Sequence, residues 1–230
     1  KLIEKIGFYN YSELISDFIF TPSSKISSIG SRTNLIILGK AGEGFPAEDL
    51  TDTIIFSSIS HENPSIVLVS LPRDIWIPEI RAKLNSAYYW GNQKKEGGGL
   101  TLAKSSVEQI VGTPVQYGLV VDFSSFTQII DVLGGVEVEV ETSFIDEKYP
   151  IVGKENDECD GDPEFKCRYE TLHFAQGKQM MDGQTALKFV RSRNAEGDEG
   201  SDLARAKRQQ RVIAATKDKL LSPKMLLDFK

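Results

Sequence analysis

Five of the nine arginines in this 230-residue chain lie between positions 191 and 211, in the stretch RSRNAEGDEGSDLARAKRQQR. Guanidinium groups gathered in this way suit oxyanions, because the planar fork grips two oxygens at once. Lysine outnumbers arginine two to one over the whole chain, so a bare need for positive surface had a commoner residue to use. Arg205, Arg208, Gln209 and Val212 stand at i, i+3, i+4 and i+7, so on a helix they share a face, which Val212 turns toward the protein. Arg191 and Arg193 lie two apart in what reads as an extended segment, placing both side chains on one side. If that segment ends beside a helix opened by Ser201 or Asp202, then Arg191, Arg193, Arg205 and Arg208 converge on the positive helix end, a geometry for phosphate oxygens. The competing reading pairs these arginines with Glu196, Asp198, Glu199 and Asp202 on a solvated surface.

A second constellation lies in the first half. SLPRD (70–74) puts Arg73 and Asp74 directly after an apolar strand, where α/β folds bind ligands. KLNSAYYWG (83–91) adds Lys83 and Asn85. LTDT (50–53) places Asp52 at the start of another strand, where a carboxylate could hold a hard cation such as Mg²⁺. Each feature alone has a plainer explanation, as a turn former or a surface ion pair. The histidines, His61 and His173, have no G-x-S-x-G elbow to serve, which argues against a nucleophilic hydrolase. GKAGEG (39–44) is no dinucleotide fingerprint, because Pro46 and EDLTD do not continue it as a helix.

These residues need a scaffold, and the composition allows one. Thirty-three acidic against twenty-seven basic residues leave a net charge of −6, which excludes general electrostatic coating of nucleic acid. The longest apolar runs are too short to cross a bilayer. Cys159 and Cys167 flank a polar loop with too few neighbouring ligands for a metal; a loop disulfide is the preferred reading, with two free thiols as the alternative.

Residues 1–30 read as a preamble, with helical spacing in FYNYSELISDFIF and a Ser-rich linker, and residues 31–230 as the domain proper. Within it NLIILG (34–39) is a buried strand, and TIIFSSIS (53–60) and SIVLVSL (65–71) form a hairpin. Helices are expected at 100–112, ended by Gly112, and at 123–133, ended by a Gly pair, with strands at 115–122 and 136–141. Leu102, Val107, Ile110, Phe123, Phe126 and Ile130 on those helices are apolar and read as plain core. VEVEVE alternates strictly and should have one wet face. Residues 142–172 are polar and look like an inserted loop. MDGQTALKFV (181–190) should be a short helix running into a strand or turn. The whole is α/β with a mixed sheet.

Taken together, LTDT, SLPRD, KLNSAY, F-x-x-I-I-D-V-LGGVEV, MDGQTALKFVRSR and D-x-x-R-x-x-RQQ resemble, in this order, the LytR-CpsA-Psr family of bacterial cell-envelope enzymes, over about residues 32–220. The resemblance implies a three-layer α/β/α sandwich with a central mixed sheet in a single domain. It implies a phosphotransferase that moves an anionic glycopolymer from a polyprenyl-pyrophosphate carrier to a peptidoglycan sugar hydroxyl. It also implies an extracytoplasmic location, with one N-terminal membrane helix removed from the chain that here begins at Lys1. Carried over by motif, Arg73, Arg191, Arg193, Arg205 and Gln209 clamp the pyrophosphate, with Lys83 beside them and Arg208 on the same helix face. Asp52 holds Mg²⁺ or Mn²⁺, Asp202 orients the arginines or helps the metal, and Asp74 or Asp202 takes the hydroxyl proton. One position departs from the pattern: the aspartate of a Gly-x-Asp setting after the first strand is replaced by Ala41, with Lys40 beside it and Asp49 or Glu43 as loop substitutes. A lipid pyrophosphatase and a non-catalytic binder of anionic envelope polymer are the alternative functions.

Overall fold

An apolar run such as NLIILG forms a stable strand when neighbouring strands satisfy its backbone and helices cover its faces. In the computed structural model, which describes residues 26–45, 47–63 and 65–222, this run is the inner part of β1 (Arg32–Lys40). It pairs antiparallel with β2 (Thr51–Ser60), which pairs antiparallel with β3 (Ile66–Ser70). On its other side β1 pairs parallel with β6 (Tyr117–Asp122), so the four-stranded sheet, in the order β3-β2-β1-β6, is mixed. Between β3 and β6 the chain forms a small ribbon of β4 (Trp76–Ile77) and β5 (Ala82–Lys83), then helices α1 (Ala87–Lys94) and α2 (Gly99–Val111). Ile36, Leu38, Ile54 and Phe56 of the sheet join Leu84, Ala87, Ala103 and Val107 in one buried cluster. Gly112 ends α2 in the left-handed conformation at φ 70°, as its position after the last apolar residue predicts. Gly91 of α1 sits so close to the next helix that a Cβ would lie 2.5 Å from the Gly98 carbonyl oxygen. The helical reading of residues 8–20 lies outside the described residues, as does Pro46.

The chain divides into two compact units, the first running to Phe123 and the second from Ser124. The second opens within α3 (Phe123–Val132), whose first residue belongs to the first unit, then β7 (Val136–Val140), whose valines are buried and whose glutamates are exposed, as strict alternation demands. Strand β10 (Gly177–Met181) pairs antiparallel with β7. Helix α4 (Gly183–Arg191) is capped by Asp182, whose Oδ1 accepts from the Thr185 N–H at 2.7 Å. Helix α5 (Asp202–Leu220) is capped by Ser201, so Asp202 is its first residue. Phe144, Phe174 and Phe189 form an aromatic cluster in this unit, with ring centroids 5.0 to 6.0 Å apart.

Two expectations are corrected. Residues 142–172 are not loop throughout: β8 (Phe144–Pro150) and β9 (Tyr169–Phe174) pair as an antiparallel ribbon, and the polar loop is confined to residues 151–168 between them. The alternation was hidden because an inward position is filled by a carboxylate, Asp146, instead of an apolar side chain. The tip of the ribbon holds a disulfide between Cys159 and Cys167. Arg191 and Arg193 do not share an extended segment, because Arg191 is the last residue of α4 and Arg193 follows the turn out of it.

Candidate functional site

In the first unit, the strand end after β3 meets the start of β2 and the β5 ribbon. Leu50, Asp52, Arg73, Asp74, Lys83, Asn85 and Ser86 line an open pocket of about 420 Å³. Backbone bonds fix its rim: the Asn85 N–H donates to the Arg73 carbonyl at 3.1 Å, and the Thr51 hydroxyl to the Asn85 carbonyl at 3.2 Å. Arg73 Nη1 lies 2.8 Å from Asp52 Oδ1 and its Nε lies 3.6 Å from Asp74 Oδ2, while Lys83 Nζ reaches Asp74 Oδ1 at 2.6 Å. The sequence placed Asp52, Arg73, Asp74 and Lys83 together, and they do line one pocket. The Lys83 hydrogen bond, helped by the charges of Lys83 and Arg73, holds the Asp74 carboxyl below its ordinary value. Asp74 is therefore ionised at neutral pH and held in ion pairs with Lys83 and Arg73.

In the second unit, the segment after α4 carries the arginines. Arg193 is exposed, and its guanidinium has no partner among the described residues. Arg191 stands with its guanidinium 5.6 Å from the centre of the Tyr149 ring. Burial raises the pKa of the Tyr149 hydroxyl, and Arg191 opposes that rise by its charge and a hydrogen bond. Arg205, with a side chain 16% exposed, is paired to the exposed Asp202 at 2.9 Å. Gln209 shares its helix face, half-buried.

Arg208 stands apart from these residues. It is 1% exposed and four of its five N–H groups are used: Nε donates to the Phe189 carbonyl at 3.0 Å, Nη2 to the Ser192 carbonyl at 2.6 Å, and Nη1 to the carbonyl and carboxylate of Glu199, each at 2.9 Å. Burial lowers its pKa, with Glu199 opposing and neighbouring Arg205 adding to the fall. The helix face was read correctly, but on that face Arg208 points into the protein, like Val212. Sequence reasoning also missed Asp146, Ser192 and Tyr149. An acidic residue at the inward position of F-I-D was the one signal for Asp146.

The family resemblance implies a divalent cation, and the donor set limits how one could be held. Asp52 has one carboxylate oxygen on Arg73. Asp49, which could replace the carboxylate lacking at Ala41, is bonded to Lys40 Nζ at 2.7 Å. Burial pulls the Lys40 pKa down, but the Asp49 bond and charge, with Tyr88 and Asp122, raise it on balance, so Lys40 stays cationic. Among the described residues, three ligand groups come within reach of one ion only at Asp157, Cys159 and Cys167, and there the sulfurs are bonded to each other. The residues fit a cation that draws most of its oxygens from a phosphate ligand, and do not fit a protein-built cage.

The model of the LytR_cpsA_psr family matches residues 19–230. The polyisoprenyl-teichoic acid–peptidoglycan teichoic acid transferase TagU of Bacillus cereus is 27% identical over 199 residues, which cover 85% of this chain and 54% of the relative. The protein of that name from Enterococcus faecalis is 25% identical over 195 residues, covering 82% and 54%. The chain spans about half the length of these curated relatives. Among solved structures, B. subtilis TagV matches with a TM-score of 0.60 at 21% identity, covering 87% of this chain and 70% of that one. TagT with bound octaprenyl pyrophosphate lipid matches with a TM-score of 0.56 at 21% identity, covering 90% and 75%. The α/β class with a mixed central sheet, expected from the sequence, is borne out by these likenesses.

Proposed function

Because the chain belongs to the LytR_cpsA_psr family, we propose that it transfers an anionic glycopolymer from a polyprenyl-pyrophosphate carrier to a sugar hydroxyl of peptidoglycan. The observation that carries this reading is Arg193, held exposed beside Arg191 with a guanidinium that has no partner among the described residues. An unpaired fork of this kind suits a phosphate oxygen pair. Arg205 and Gln209, and in the first unit Arg73 and Lys83, are further donors of the same chemistry. In the proposed reaction the acceptor hydroxyl attacks the phosphorus that bears the glycan. A new P–O bond forms, the bridging P–O bond of the pyrophosphate breaks, and polyprenyl monophosphate leaves. Such a transfer depends on positioning and charge neutralisation more than on covalent catalysis, which arginine-rich surfaces supply. Asp74, paired with Lys83 and Arg73, and Asp202, paired with Arg205, are the two carboxylates proposed to receive the hydroxyl proton. Mg²⁺ or Mn²⁺ would be held by Asp52 together with phosphate oxygens of the substrate, and when bound supplies additional neutralisation of charge.

The disulfide Cys159–Cys167 supports a location outside the cytoplasmic membrane, since such bonds persist in oxidising compartments. No helix among the described residues is long and apolar enough to cross a membrane; anchoring by a preceding helix belongs to the same proposal.

The test is binding followed by turnover. Octaprenyl pyrophosphate should bind the 230-residue chain, and Arg191→Ala and Arg193→Ala should each weaken it about tenfold or more, the usual scale for losing a charge-assisted hydrogen bond. Supplied with a lipid-linked glycan and peptidoglycan fragments, the protein should form a phosphodiester. Release to water in the presence of acceptor would identify a pyrophosphatase, and retention without turnover a binder.

A further inference from the structure

Ser192 links two buried opposite charges. Its hydroxyl donates to Asp146 Oδ2 at 2.7 Å, and its carbonyl accepts from Arg208 Nη2 at 2.6 Å. Asp146 and Ser192 are 0% exposed and Arg208 is 1% exposed. The same Asp146 oxygen also accepts the backbone N–H groups of Arg193 at 3.1 Å and Asn194 at 3.2 Å, while its Oδ1 accepts the Lys148 N–H at 3.0 Å. From the other side Arg208 holds the Phe189 carbonyl at 3.0 Å. The backbone from 189 to 194 is thus gripped by an anion through its amides and by a cation through its carbonyls.

Stability is a weak reason for this arrangement. Desolvating each ion costs several kcal/mol, and well-packed apolar residues of similar volume commonly serve a fold equally well or better. What a fully bonded polar network does provide is a single backbone geometry. The segment so fixed is the one that carries Arg191 and Arg193.

We propose that Asp146, acting through Ser192 and opposed by Arg208, is a positioning residue that holds Arg191 and Arg193 at the geometry a lipid pyrophosphate requires. This rests on the reading of those arginines as pyrophosphate ligands. Asp146 touches no substrate in this role; it sets where two guanidinium groups stand.

Asp146→Asn keeps the side-chain volume but replaces one acceptor oxygen with a donor, among four groups that all donate. The experiment measures the affinity of the 230-residue chain for octaprenyl pyrophosphate in detergent micelles, for wild type, Asp146→Asn, Arg193→Ala and the double variant. Asp146→Asn should weaken binding about tenfold, and Arg193→Ala, costing about tenfold alone, should cost less than about threefold in the Asp146→Asn background. A residue that only stabilises the fold gives losses that multiply independently. Independent losses, or unchanged affinity in a folded Asp146→Asn protein, overturn the inference and leave the proposed function standing. If neither Arg191→Ala nor Arg193→Ala weakens binding by the wild-type protein, the function itself fails, and the inference with it. Should Asp146→Asn not fold, Ser192→Ala removes the hydroxyl donor while leaving all three amides on Asp146. The same cycle then applies, with a smaller loss and the same coupling expected.

Discussion

At the scale of single residues, burial separates arginines that composition makes look alike. Arg193 is exposed and Arg208 is sealed, though both belong to one cluster in the sequence. Periodicity assigns Arg208 to the face shared with Val212, but cannot say whether a guanidinium there meets a ligand or the carbonyls of Phe189 and Ser192. Tyr149 gives a test of the local electrostatics. Burial raises its hydroxyl above the ordinary 10.0, against the pull of Arg191. The folded state therefore favours the neutral phenol, and this stabilisation is complete below pH 10.0 and is lost as pH rises through the folded value. Urea denaturation at pH 9 to 11 should show stability falling for the wild type and a flatter profile for Tyr149→Phe; equal slopes would mean that Tyr149 ionises as freely when folded as when unfolded.

At the scale of elements, the disulfide ties the end of the β8–β9 ribbon across a short separation of 8 residues. Closing so short a loop should contribute about 2–3 kcal/mol by restricting the unfolded chain. Reductant should accordingly lower the melting temperature of the wild type and leave a Cys159→Ser/Cys167→Ser variant unchanged. A wild-type melt indifferent to reductant would assign the bond no stabilising part. Elements built on uninterrupted periodicity were legible: β1, β2, β6, β7 and α2 fall within a few residues of their expected limits, because apolar spacing and terminal glycines act locally. The ribbon was not legible, since Asp146 stands where the alternation calls for an apolar residue and its partner strand begins beyond a polar stretch. The end of α4 was legible to within a residue, but the extended course expected through R-S-R was not observed, because Arg191 still lies in the helix and Asp146 accepts the amides of Arg193 and Asn194 just beyond it. Of the candidate sites, the pocket set could be read from strand ends, whereas the bonds that fix the arginine segment come from residues far away in sequence.

At the scale of the molecule, an acidic chain of net charge −6 carries the cations proposed to meet the ligand in two local sets, one in each unit. Neither set includes a protein-built cage for a divalent ion. Metal removal should therefore leave the fold alone: with no phosphate ligand present, a chelator should not shift the melting temperature, because an ion that scarcely binds the free protein cannot stabilise it. A drop of several degrees would show a structural metal. Chelation should instead weaken octaprenyl pyrophosphate binding, if Asp52 shares a cation with the phosphates. The sequence made a local anion site expectable from charge alone, but the count of available metal carboxylates needed the ion pairs of Lys40 with Asp49 and Arg73 with Asp52. The ribbon tip has a practical use as well. Residues 160–166 are mostly exposed, are closed off by their own covalent staple, and make their polar contacts to near neighbours such as Glu158, Cys159 and Asp162. A biotin-acceptor peptide or a fluorophore attachment point spliced between Asp160 and Lys166 would give a handle for surface immobilisation, with its own staple to isolate the graft from the strands that carry it.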